Sequence, residues 1–193
     1  MNPANIITTL RLALIFFVLI GVWRYDAGAG EIWRIAAVWI AIAASVTDFL
    51  DGFVARKFNY VSKTGAIYDP IVDKIGCVAA IILLAMARNS FEAVMLWYPS
   101  VIIAKELITI IGSVLLRKKA PPKGFKPLVL GKISAFLQAM TIIWLLLKAP
   151  QGYIIITISG VIAFLAGVAY IYLGITLFYG GGIWGKQPLK AEK

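Results

Sequence analysis

Six long apolar stretches fill most of this 193-residue chain, and they restrict it to one kind of fold. They run approximately over residues 7–23, 33–54, 66–88, 94–116, 129–148 and 153–179. Each approaches the roughly 20 residues a helix needs to cross a bilayer. Hydrophobic residues make up 61% of the chain and charged ones only 15%, which excludes an ordinary soluble domain. In lipid the backbone must satisfy its own N–H and C=O groups, so helices are expected. The alternating short strands of a membrane barrel are not visible. The expected fold is therefore an all-α integral membrane protein of six transmembrane helices. Residues 2–11 read as a short N-terminal interfacial segment, and residues 1–193 as a single domain. Residues 1–5 lack the charged start of a cleaved signal peptide.

Charge placement orients the spans. Arg56, Lys57 and Lys63 lie between spans two and three; Arg117, Lys118, Lys119, Lys123, Lys126 and Lys132 lie between or just inside spans four and five. Lys186, Lys190 and Lys193 follow span six. The other side shows Arg24, Arg34, Arg88 and Lys148, offset in part by Asp26, Glu31 and Glu92. The positive-inside bias puts both termini in the cytoplasm, which makes this a multi-pass protein of the cytoplasmic (inner) membrane. The net charge of +10 serves topology first, with attraction for anionic lipid or phosphate as a second use. No soluble basic domain is present, so nucleic acid is not an expected partner; the lipid bilayer is.

Against this apolar background the acidic residues are informative. Of nine, four fall in one pattern: Asp48-x-x-Asp51-Gly52-x-x-Ala55-Arg56, eight residues, then Gly65-x-x-x-Asp69-x-x-x-Asp73. Helical spacing gives Asp48 and Asp51 one face, and Asp69 and Asp73 another. Two such faces meeting would make a cage of four carboxylates at the cytoplasmic ends of spans two and three. At roughly +2.5 to +3.5 kcal/mol for each central aspartate, four approach ~10 kcal/mol and must be neutralised. Arg56 can offset one charge. Oxygen ligands alone select hard cations such as Mg²⁺, Mn²⁺ or Ca²⁺, and four carboxylates suit two divalent ions, an arrangement used in phosphoryl transfer. The chain has no histidine, so proton transfer falls to Asp, Glu, Lys or Tyr. The lone Cys77 allows no internal disulfide and no cysteine-based metal site, and reads as a small buried apolar residue.

Gly52, Gly65 and Ala55 beside the aspartates either admit a bulky phosphate-bearing ligand or let the two helices pack closely. Gly160, Gly167 and Gly174, with Ala163, read as a packing stripe on span six, within the chain or across a dimer. The glycine run at residues 180–186 looks like the start of a P-loop, but Gln187 and Pro188 stand where Ser or Thr and a helix are required.

The whole pattern from Asp48 to Asp73 resembles the signature of the CDP-alcohol phosphotransferases, with every fixed position filled. These membrane enzymes move a phosphate-linked group from a CDP-alcohol to an acceptor hydroxyl and release CMP. The resemblance implies that Asp48, Asp51 and Asp69 ligate metal, and that Asp73 completes the site and acts as general base. It gives Gly52, Ala55 and Gly65 the role of making room for the CDP moiety, and Arg56 that of supporting the carboxylates or a phosphate. Two Mg²⁺ or Mn²⁺ ions are the expected cofactors.

Asn5-x-x-Thr8-x-x-Arg11 looks like the amino-terminal segment of the phosphatidylglycerophosphate synthases and their cardiolipin synthase relatives, both users of CDP-diacylglycerol. Lys105-Glu106 and Gly131-Lys132…Gln138 are similar to further stretches of those groups. Arg11, Lys105, Arg117 and Lys132 are thus candidates to bind an acceptor phosphate, although each singly also suits an interfacial anchor or a partner for Glu106. Ser113 departs from the pattern, standing where many glycerophosphate synthases have a second Arg. Glycerol 3-phosphate is the first expected acceptor. The segment from Phe125 to Lys132 keeps phosphatidylglycerol, the acceptor of CMP-forming cardiolipin synthases, as the alternative. A homodimer is expected. The rival from another class is an ion or proton-coupled transporter, which also buries acids but has no need of the fixed glycines and Arg56.

Overall fold

A computed structural model describes residues 3–58, 65–87, 94, 96–119 and 128–178. For residues 3–9, 11, 48–58, 65–73, 113–119 and 177–178 the backbone alone is described. The described residues form six helices and no strand: α1 (Pro3–Asp26), α2 (Glu31–Phe58), α3 (Gly65–Met86), α4 (Trp97–Lys119), α5 (Val129–Leu146) and α6 (Gly152–Phe178). Each expected apolar stretch is matched by one helix. The expected interfacial segment is not a separate element. Pro3 opens α1, where its missing N–H and fixed φ suit a first turn, and the helix then runs unbroken to Asp26. The basic stretch at residues 120–127 lies outside the described residues.

Local chemistry fixes the ends. After α1 the chain folds back on N–H bonds from Ala27 to Trp23 O, Gly28 to Tyr25 O and Ala29 to Arg24 O, each 3.0 Å. Gly28 (φ 81°) and Gly30 (φ 103°) take the left-handed conformations that this turn requires. Pro99 sits in the first turn of α4, where a proline removes no intrahelical hydrogen bond.

Helix α1 packs on both α2 and α3, and α6 packs on both α4 and α5; α2 and α3 each also meet α5, and α3 meets α4. The core between them is small and aliphatic, with Val22, Ala37, Leu84, Tyr98, Ile102, Leu146 and Ala163 buried. Polar side chains are buried with it: Lys105, Glu106, Ser134, Gln138, Thr141 and Ser159. Large apolar side chains stand exposed on every helix, among them Phe16, Trp39, Ile75, Ile111, Phe136 and Phe164. Polar groups inside and apolar groups outside is the arrangement a hydrocarbon solvent favours. Helix α5 over Val129–Leu146 and helix α6 over Gly152–Thr176 are long and apolar enough to cross a membrane; Lys74–Met86 is a shorter apolar stretch.

Glycines set several of the crossings. A Cβ on Gly21 would lie 2.8 Å from Ala37 Cβ and 2.9 Å from Trp33 O, so α1 and α2 touch nearly backbone to backbone. A Cβ on Gly76 would lie 2.6 Å from Ile15 Cδ1, where α3 meets α1. The α6 stripe divides. A Cβ on Gly160 would overlap the Trp97 ring, and Gly167 lies beside the Lys105 stem, so both face α4 within the chain. Gly174 meets nothing within 4 Å. Tyr98 Oη and Ser159 Oγ, 3.0 Å apart, close the same α4–α6 seam.

Candidate functional site

The signature spans the end of α2 and the start of α3. Asp48 and Asp51 lie on one continuous helix at i and i+3, and Asp69 and Asp73 on the next at i and i+4. Each pair therefore shares a helix face, as the spacing predicts. Gly52, Ala55 and Arg56 continue α2, and Gly65 is the first residue of α3. Of Asp48, Asp51, Ala55, Arg56, Asp69 and Asp73 the backbone is described and the side chains are not. As a donor set the four carboxylates fit hard divalent cations, since they offer oxygen alone from two successive helices.

Next to this segment, one residue past Asp73, begins a buried polar cluster. Lys74 on α3 places Nζ 2.9 Å from Glu106 Oε2 on α4. Glu106 Oε1 meets Lys105 Nζ directly. Lys105 Nζ also donates to Ser134 Oγ on α5 at 3.4 Å, and Gln138 Nε2 donates to the same hydroxyl at 3.2 Å. Lys105 is 4% exposed and Glu106 5%, so both charges are removed from solvent. Such a pair survives burial only because each charge has its partner; removing one typically costs about 3–5 kcal/mol. Lys74, about one quarter exposed, connects the cluster to its surroundings.

Of the candidate acceptor residues, the side chains of Lys105 and Lys132 are described. Lys105 lies inside the bundle as the partner of Glu106, one of the three roles its sequence allows. Lys132 is exposed on α5. Arg11 is on α1 and Arg117 on α4, with side chains outside the described residues, as is that of Ser113. Sequence reasoning missed Lys74 and Ser134. The signals were present: a lysine directly after the last signature aspartate in an otherwise apolar helix, and a serine four residues before Gln138.

A second polar group closes the far end of α1, α2 and α5. Arg34 Nε donates to Glu31 Oε2 at 2.6 Å, Tyr25 Oη donates to Glu31 Oε1 at 2.9 Å, and Arg34 Nη1 donates to Leu146 O at 2.9 Å. Lys148 Nζ donates to Tyr25 Oη and lies 4.8 Å from that ring's centroid. Arg24 lies over Trp33 at 5.4 Å. The hydrogen bond from Arg34, then that from Tyr25, holds the exposed Glu31 carboxyl below its ordinary value. These are contacts that fasten turns together. The signature aspartates lie at the other end of α2 and the start of α3.

Comparison with known proteins agrees with the signature. The sequence profile described as CDP-alcohol phosphatidyltransferase matches residues 1–176. A Rickettsia felis protein named CDP-diacylglycerol–glycerol-3-phosphate 3-phosphatidyltransferase is 32% identical over 182 residues, covering 92% of this chain and 93% of that protein. A Mycobacterium tuberculosis protein named "Probable phosphatidylglycerophosphate synthase" is 32% identical over 142 residues, 73% of this chain. The match spans 64% of the mycobacterial protein's own length. A Bacillus subtilis protein with the same name as the Rickettsia relative is 36% identical over 113 residues, 54% of this chain and 56% of that protein.

Proposed function

This chain belongs to the CDP-alcohol phosphatidyltransferase family, and on that premise we propose that it transfers the phosphatidyl group of CDP-diacylglycerol to glycerol 3-phosphate, releasing CMP. The observation that carries the reading is the complete signature Asp48 to Asp73 on two successive helices, in a chain that matches a glycerol-3-phosphate phosphatidyltransferase over 92% of its length. The whole chain acts as one membrane domain. Its six helices, each exposing large apolar side chains, cross the bilayer six times. The basic loops, both termini and the aspartates face the cytoplasm, as the positive-inside bias requires.

Asp48, Asp51, Asp69 and Asp73 would hold two divalent cations, Mg²⁺ or Mn²⁺. When bound, these supply the positive charge that stabilises the pyrophosphate as its bridging bond breaks. The small surface at Gly52, Ala55 and Gly65 leaves space for the CDP moiety, and Arg56 partly balances the carboxylates. Asp73 takes the proton from the acceptor hydroxyl while its oxygen forms the new bond to phosphorus. The bond from that phosphorus to the bridging oxygen breaks, and CMP leaves with the electron pair. Arg11, Lys105, Arg117 and Lys132 supply the basic groups for an acceptor phosphate, with Lys105 held ready inside the bundle by Glu106. The protein works as a homodimer.

The test is direct. Detergent-purified full chain with labelled CDP-diacylglycerol and Mg²⁺ or Mn²⁺ is expected to release CMP on addition of glycerol 3-phosphate, and EDTA to stop it. Release with phosphatidylglycerol alone would reassign the acceptor. No release with either, together with ion movement in liposomes, would replace the enzyme reading by transport.

A further inference from the structure

Resting on the reaction proposed above, we infer that Glu106 is a positioning residue: by tying Lys74 of α3 and Lys105 of α4 to one carboxylate, it fixes the carboxylate-bearing helix against the acceptor side of the bundle. Its two oxygens are used separately, Oε1 by Lys105 and Oε2 by Lys74 at 2.9 Å. Lys105 extends the link to Ser134 on α5, whose hydroxyl Gln138 also holds. Three helices are thereby joined through one chain of ion pairs and hydrogen bonds, buried at Lys105, Glu106, Ser134 and Gln138; Lys74, partly exposed, meets Glu106 Oε2 as an ion pair and not as a hydrogen bond.

The placement gives that link its consequence. Lys74 follows Asp73 directly on α3, and a helix is stiff over one residue. Whatever holds Lys74 therefore sets the rotation and depth of the Asp73 backbone. Apolar packing tolerates volume-conserving rearrangement, whereas a buried ion pair displaced from its partner leaves a charge unpaired. The same carboxylate fixes where the Lys105 ammonium sits. Two groups of the proposed reaction, the Asp73 backbone on α3 and the Lys105 ammonium on α4, thus take their spacing from Glu106. A displacement of about 1 Å at a reacting group can cost on the order of a hundredfold in rate.

Steady-state kinetics of the full chain in detergent, with CDP-diacylglycerol and glycerol 3-phosphate varied in turn, test the inference. Lys74→Met is expected to lower kcat at least tenfold and leave the KM for glycerol 3-phosphate within twofold, because Lys105 keeps its partner. Lys74→Arg, which can still reach Glu106, is expected to restore kcat to within about threefold of wild type. Glu106→Gln is expected to lower kcat and also raise the acceptor KM, leaving the KM for CDP-diacylglycerol within twofold. Wild-type kcat and KM in folded Lys74→Met would overturn the positioning role, as would failure of Lys74→Arg to recover. If Glu106→Gln does not fold, the two Lys74 variants and Glu106→Asp carry the test. The tie is also read without turnover, from melting temperatures of wild type, Lys74→Met, Glu106→Asp and their double variant. Additive shifts would overturn it. Non-additive shifts in a chain that releases no CMP would leave the tie standing and defeat the proposed reaction instead.

Discussion

At the residue scale, the chemistry turns on which carboxylate exchanges a proton. Asp73 is the last aspartate on its face of α3, and it is the proposed base. Asp73→Asn keeps size and oxygen ligation at one atom but cannot take a proton. It is expected to reduce kcat roughly 10²–10⁴-fold, the usual contribution of a general base. Binding of CDP-diacylglycerol, measured by equilibrium partition of labelled lipid, should change little; equal loss of binding and turnover would reject the assignment. Glu31 shows a different use of a carboxylate. Arg34 and Tyr25 lower its pKa from the ordinary 4.5, so the folded state binds its proton less readily than the unfolded chain. Its contribution to stability is therefore complete above about 4.5 and is lost as pH falls through the lowered folded value. Melting of wild type and Glu31→Gln between pH 7 and pH 3 should differ at neutral pH and converge at the acid end.

At the element scale, glycine decides how closely two helices approach, and its neighbours decide what a methyl group costs there. Gly21→Ala would press a Cβ against Ala37 and the Trp33 carbonyl, and backbone cannot rotate away. A loss of about 1–3 kcal/mol is expected, as for other overpacked sites. Gly174→Ala meets open space and should be neutral or slightly stabilising, since alanine is the better helix former. Thermal melting of both variants checks the contrast; equal losses would mean that the α1–α2 crossing is not set by Gly21. The stripe on α6 shows what sequence can say here. Seven-residue spacing placed Gly160, Gly167 and Gly174 on one face, but not what faces them, and two of the three meet α4. The helices themselves were legible because apolar length is a strong signal. Their ends were less so, since α2 and α4 continue past the apolar residues through Arg56–Lys57 and Arg117–Lys119. The four aspartates stood out as acids in an apolar chain. Lys74 was overlooked because a single lysine in a helix shows no partner in sequence, and only Glu106, on the next helix, distinguishes it.

At the scale of the whole molecule, the proposed reaction requires the aspartate ends of α2 and α3 to face the compartment that supplies the nucleotide-bound lipid headgroup and the phosphate acceptor. Six crossings make a definite claim about every connection. The turn between α1 and α2, where Ala29 is exposed, must lie on the side opposite the basic segment between α4 and α5. The tight turn after α5, with Lys148 at φ 52° and Gln151 at φ 62°, must share the side of Ala29. The contacts of Tyr25, Arg34 and Lys148 agree, since they bring the end of α1, the start of α2 and the end of α5 together. Cys77 is the one native cysteine, so a Cys77→Ser background allows single reporters to be introduced. In sealed, inside-out membrane vesicles, Lys123→Cys should react with a membrane-impermeant maleimide, because the positive-inside rule places that segment in the cytoplasm. Ala29→Cys should react only after the vesicles are opened with detergent. Labelling of both from the same side would break the six-crossing topology and remove the orientation on which the site at Asp48–Asp73 depends. Reversed labelling would keep the crossings and place the aspartates on the face away from their substrates.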